Sequence, residues 1–167
     1  MGNERINLLA DLFDDGRKHT LQIAEDVPLT HRLKQLQPGK GTPLWLIGHL
    51  ARATDTLGLR YVLGEVSILT PEQSLCFAPD IIGGKPPTAN AGDYPAWEDV
   101  VRLYNATVDR ALDGFRELDD TALSTPLPGK MKDEIRKLFP DVGSALCSLI
   151  QHDAYHRGQI GMLAKLD

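Results

Sequence analysis

The stretch from Trp97 to Leu118 constrains the fold more than any other part of the chain. Trp97, Val101, Tyr104, Val108, Ala111, Phe115 and Leu118 follow one another at alternating steps of four and three residues. This seven-residue apolar repeat puts the large side chains on one stripe of an α-helix and leaves the opposite face polar. Such a helix gains most of its stability by covering the stripe, and the simplest cover is other helices patterned the same way.

Three further segments supply them. The first starts at Asn3, a good N-cap, and carries Ile6, Leu9, Leu12, Phe13 and Ile23 before Pro28 ends it. Gly16 inside it weakens continuity by about 1 kcal/mol of helix propensity. The second opens on Thr42-Pro43, a capping residue followed by proline at the first helical position. Leu46, Leu50, Ala53 and Leu57 then recur at helical steps, to about Leu63. The last follows Pro140 with Asp141 as cap, and its stripe is Val142, Ala145, Leu149, His152, His156, Ile160 and Leu163. The pattern predicts an all-α protein, a four-helix bundle, with one domain spanning residues 1–167. YVLGEVSIL, the best strand candidate, reads mostly as helix end and loop. The connection over 65–94 is long and crowded with Pro and Gly, and reads as a lid, a binding loop or an unstructured excursion. The connection over 119–140 has room for a short helix at MKDEIRKLF.

Composition removes several functional classes. The formal net charge is −5, against the broad cationic face that nucleic-acid binding uses. No run approaches the length of a membrane span, and the start MGNERINLLADLFDD lacks the basic and unbroken apolar regions of a signal peptide. A cytoplasmic protein with neither nucleic acid nor membrane as partner is the expectation. Cys76 and Cys147 are far apart and no CxxC pair exists, so neither a thiolate zinc finger nor a disulfide scaffold is expected. Cys147 reads as a small core residue. Cys76, in the long loop, has no neighbouring base to make it a nucleophile.

The chemistry resides in the histidines. His152 and His156 stand four residues apart, so both rings project from one helix face. They also occupy stripe positions where the helix otherwise shows leucine, isoleucine and valine. A buried imidazole without a partner costs about 1–3 kcal/mol, and a shared metal ion satisfies both rings at once. Two separately hydrogen-bonded core histidines are the competing explanation. His49, beside Leu46, Leu50 and Ala53 in the second helix, tips the balance. Three nitrogens from two helices leave a coordination position for water or substrate, as catalytic sites do. Zinc, nickel, copper and iron all suit three imidazoles. His19 and His31 read as surface residues. Trp45 and Tyr155 can wall a pocket, although aromatic residues at helical spacing usually belong to the core. Arg157 reads as a solvated cation or as the holder of a carboxylate or substrate anion. Gly158 suits a close helix approach, and Gln159 a hydrogen bond to a ligand histidine.

These residues resemble a known family. The run His152-Asp153-Ala154-Tyr155-His156-Arg157-Gly158-Gln159 is similar to the HxxxHRGQ-type element of the DinB/YfiT-like metal-dependent proteins. Leu44-Trp45-Leu46-Ile47-Gly48-His49-Leu50 is similar to the family's apolar-Gly-His-Leu stretch. The resemblance implies an up-down-down-up four-helix bundle with one divalent metal, most often zinc or nickel, on His49, His152 and His156. It implies a homodimer as well. Other members resemble thiol S-transferases, so the resemblance also implies a low-molecular-weight thiol, a small electrophile as its partner, and a place in stress response or detoxification. Hydrolysis and a non-catalytic metal-binding module stand as alternatives. Asp153, where other members often carry glutamate, receives no catalytic role.

Other metal and cofactor readings fit worse. In HDAYH, aspartate replaces the general-base glutamate of the HExxH proteases, and Met162 occupies the position of a third histidine. A di-iron centre needs glutamates that the apolar stripes do not supply. A third stripe histidine speaks against bis-histidine haem.

Overall fold

The computed structural model describes residues 2–79 and 82–166. Helix α1 spans Glu4–Glu25. Helix α2 spans Pro43–Ala53 and continues without a break as a π-helical segment over Thr54–Val62. Helix α3 is Pro71–Cys76, α4 is Trp97–Arg116, α5 is Asp133–Leu138 and α6 is Val142–Ala164. No strand occurs among the described residues. None of their helices is long and apolar enough to cross a membrane.

The four long helices close a ring in which α1 packs on α4 and α6, and α2 packs on the same two. Contacts between named residues give the directions. A Cβ on Gly161 would approach Ile23, and Thr20 bonds Asp153, so α1 and α6 run the same way. The N-terminal end of α1 meets Asp120, just past the end of α4, so these two run oppositely. His49 faces His152 while Gly58 faces Leu149, which makes α2 and α6 antiparallel. The core inside the ring includes Ile6, Phe13, Ile47, Leu59, Tyr104, Val108, Phe115, Leu149 and Ile160.

Side-chain caps start α2, α3 and α6, whereas α1, α4 and α5 begin without one. Thr42 accepts from the Trp45 N–H at 3.1 Å. Asp141 and Ser144 form a reciprocal capping box at the start of α6. Asn3, expected to cap α1, makes no side-chain cap bond. The Ile6 N–H donates instead to Asp120 Oδ1 at 2.9 Å, and that bond holds the Asp120 carboxyl below its usual range.

Several expectations are corrected. The 65–94 connection is not loop throughout. Thr70 and Gln73 form a capping box that starts α3, while residues 80 and 81 lie outside the described residues. In α4 the core takes Val100 rather than Val101, which is half-buried. Leu12 faces solvent, and so does Cys147. His31 is half-buried and its Nδ1 lies 3.0 Å from the Ala164 carbonyl oxygen, so it is no free surface residue. A buried carboxylate that the apolar pattern conceals, Asp55, accepts from Ser67 Oγ and from the Ile68 N–H at 2.8 Å, tying the π-helical segment to the chain that follows.

Candidate metal centre

His49 comes from the middle of α2; His152 and His156 come from successive turns of α6. Because the two helices cross here, the three Nε2 atoms converge. His49 Nε2 lies 3.2 Å from His152 Nε2, and His156 Nε2 lies 3.0 Å from the same atom. One nitrogen from each residue falls within 4.8 Å of the other two, so the group can hold a metal ion. Ligand nitrogens around tetrahedral zinc stand roughly 3.3 Å apart, given Zn–N bonds of roughly 2.0–2.1 Å. The two short edges of the triangle match that spacing.

The outer ring nitrogens decide where the lone pairs point. His49 Nδ1–H donates to the Phe77 carbonyl oxygen at 3.0 Å, and His156 Nδ1–H donates to Gln159 Oε1 at 2.7 Å. Both Nε2 atoms therefore carry lone pairs turned toward His152. A proton on His152 Nε2 can serve one of them and leaves the other facing a nitrogen with nothing between. Adding protons is no remedy at neutral pH. Burial lowers His49 to about 4 and His152 to about 3, with charge on the neighbouring rings pushing the same way, and burial lowers His156 too. A single divalent cation would satisfy all three lone pairs, which is why this donor set fits one.

Surrounding residues fix the rings. Trp45 stacks on His49, centroids 4.7 Å apart and planes 9° from parallel. Its Nε1 is buried without a hydrogen-bond partner among the described residues. Tyr155 lies edge-on to His156 but stands mostly in solvent. Gly48 allows the His49–Phe77 bond. A Cβ there would fall 2.3–2.5 Å from atoms of the Phe77 ring, so only glycine lets that ring lie against α2. Phe77, at the end of α3, is the residue that the sequence pattern did not single out.

Asp153 turns the other way. It is 2% exposed and accepts from Thr20 Oγ1 at 2.9 Å, from Tyr104 O–H and from Arg157 Nη1 at 3.0 Å. Burial raises its carboxyl, with the three donors opposing. Arg157 also donates to the Gly16 carbonyl at 2.9 Å. Its anion is thus a carboxylate of this chain, and Asp153 ties α6 to α1 and α4. A Cβ on Gly16 would crowd Arg157 and Asp153 at 3.3–3.4 Å, which accounts for a glycine inside α1. Gly158 is exposed, and a Cβ added to it would meet nothing within 4 Å, so no neighbouring helix among the described residues approaches it.

A cavity of about 380 Å³ opens beside the histidines, with His152 in its wall. Leu57 and Tyr61 of the π-helical segment line it, together with Leu149, Ile135 of α5 and the following Phe139. Arg52 and Lys132 are its cations. His19 is exposed on α1, and neither cysteine belongs to the histidine group.

A sequence model of the DinB superfamily matches residues 12–160. The chain belongs to the DinB superfamily. The match includes all three histidines and the residues that line the cavity. A search of curated proteins found no match.

Proposed function

We propose that this DinB-superfamily chain is a metal-dependent enzyme, with one divalent ion on His49, His152 and His156. The proposed reaction is transfer of a low-molecular-weight thiol to a small electrophile, with hydrolysis as the second choice. The observation that carries this reading is the position of His152, which faces the other two rings and also lines the cavity. A bound ion would lower the pKa of a thiol or water that it coordinates, supplying a nucleophile near neutral pH. The chain's own part is to hold three neutral imidazoles, which bring no negative charge to oppose that effect. Phe77 and Gln159 fix two of the rings by their outer nitrogens. The apolar walls of the cavity reduce competition from bulk water.

On this reading the ring of long helices is the up-down-down-up bundle that the family resemblance implies. Zinc or nickel is the proposed metal, ahead of iron or copper. A homodimer, a cytoplasmic location and a role in stress response or detoxification complete the proposal. A non-catalytic metal-binding module would need no cavity at the ligands, so the cavity favours the enzyme.

The test is elemental analysis of tag-free protein beside His152→Ala. The expected result is close to one metal per chain, lost in the variant. Equal, sub-stoichiometric metal in both would refute the site. Loaded protein is then assayed with several low-molecular-weight thiols against a chlorinated aromatic and with ester substrates. Metal-dependent turnover supports the enzyme; its absence with all of them favours the binding module.

A further inference from the structure

The cavity next to His152 has a cationic end that makes no ion pair among the described residues. Arg52 donates through Nε to the Ser74 carbonyl at 2.9 Å, and no carboxylate lies within ion-pair distance of its guanidinium among the described residues. The nearest candidate in sequence, Asp55, is occupied by Ser67 and the Ile68 N–H. Arg60 lines an adjoining cavity that shares Arg52 and Ile82 with the first. Lys132, just before α5, lines the first cavity, and neither Arg60 nor Lys132 makes an ion pair among the described residues. Most other arginines of this chain are paired: Arg5, Arg17, Arg32, Arg102, Arg110, Arg116 and Arg157 each meet a carboxylate. Arg52 and Lys132 line this cavity and Arg60 the adjoining one, all three without an ion pair among the described residues, in a chain of net charge −5.

The rest of the cavity is mostly apolar, with Thr56, Ser148 and His152 among its other polar side chains. Leu57, Ile135, Phe139 and Leu149 offer hydrocarbon, and Tyr61 offers a ring face. The volume is at the small end of the roughly 300–1,000 Å³ typical of ligand pockets. Partial burial of Arg52 disfavours its charge; Tyr61 and Asp55 oppose this and the Arg60 charge adds to it. An anion entering here would favour the charged guanidinium, and a guanidinium and an ammonium in one cavity wall suit a carboxylate.

We propose that the cavity takes a small amphipathic carboxylate. The carboxylate sits between Arg52 and Lys132, the apolar body lies on Leu57, Phe139 and Leu149, and the far end meets His152. This names the substrate class for the reaction proposed above, and rests on that reading only for what happens at the His152 end.

Octanoate and octanol are the probes, titrated calorimetrically at fixed ionic strength into the full chain, both zinc-loaded and chelator-treated. The expected result is about ten-fold tighter binding of octanoate in both forms, the size of one charge-assisted contact. The preference should fall to within about three-fold in Arg52→Gln or in Lys132→Gln. Lys132 makes no side-chain bond among the described residues that its replacement would break, so that variant guards against a folding defect at Arg52. Equal binding of the two probes, no octanoate binding, or a preference that survives in both variants overturns the proposal. A preference confined to zinc-loaded protein also overturns it, because the carboxylate would then be on the ion. If purified protein carries no metal but the chelated form still prefers octanoate through Arg52 and Lys132, the metal reading fails and this one stands.

Discussion

His49 Nδ1 and the Phe77 carbonyl oxygen lie 3.0 Å apart, and the contact depends on the glycine that precedes the histidine. The bond gives His49 one tautomer and aims its lone pair at His152. Gly48→Ala would drive a methyl group into the Phe77 ring, and the end of α3 would have to move. The expected cost is about 1–3 kcal/mol of stability and about 10–100-fold in zinc affinity, the usual effect of losing a partner on a ligand's outer nitrogen. Denaturant titration and competition with a chromophoric chelator measure the two. Unchanged zinc affinity in a folded variant would separate the Phe77 carbonyl from the metal centre.

Tyr104 should matter for stability and not for metal. Its hydroxyl donates to the buried Asp153 carboxylate from α4, on the side away from the three Nε2 atoms. Tyr104→Phe keeps the ring and removes the donor, leaving Thr20 and Arg157 to share the carboxylate. A loss of about 1.5–3 kcal/mol in urea unfolding is expected, as for a hydrogen bond to a charged group, with metal content within error of wild type. A large loss of metal from a folded Tyr104→Phe protein would mean that Asp153 positions the ligand turn of α6.

How much of this was legible in the residues depended on what kind of group carried the information. Helix existence was readable from apolar spacing, and the start of α2 from Thr42-Pro43. The histidine triad was readable because imidazoles stood where the stripe called for hydrocarbon. The choice of Val100 over Val101 was not, since a helix of 3.6 residues per turn drifts by about 20° per seven residues and the core side moves off a strict seven-residue repeat. Thr70-Pro71 repeats the Thr42-Pro43 start signal, so α3 was detectable where a Pro- and Gly-rich loop was expected. The role of Phe77 was hidden, because a backbone carbonyl has no residue signature. Thr20 and Asp55 were hidden because hydrophobic periodicity treats a buried polar residue as a gap. The π-helical continuation of α2 has no sequence pattern that the apolar steps reveal.

Gly158 offers the opposite experiment to Gly48. It sits within α6, faces solvent, and nothing lies within 4 Å of the place a methyl would occupy. Gly158→Ala should therefore stabilise the chain by about 0.5–1 kcal/mol through helix propensity alone. Thermal unfolding of the metal-free protein reads this directly. A destabilised variant would reveal a contact on that face that the isolated chain lacks.

The three histidines also set a pH dependence whose sign follows from burial. His49 is lowered to about 4 and His152 to about 3 from an ordinary value of 6.5, and His156 is lowered as well. Between those values the unfolded chain binds protons that the folded chain refuses, so folding stability rises with pH there. Their contribution is complete above about 6.5 and is lost as the pH falls through the folded values. Asp153 acts oppositely. Its raised carboxyl keeps a proton in the folded state at pH values where the unfolded chain has lost it, and so favours folding on the acid side. The metal-free protein should lose stability in urea between about pH 6.5 and about pH 4, and His49→Gln should flatten that slope. Bound zinc adds stability at neutral pH that disappears over the same range as protons compete for the rings. A metal-free slope that His49→Gln leaves intact would show that the acid sensitivity arises from groups other than this triad.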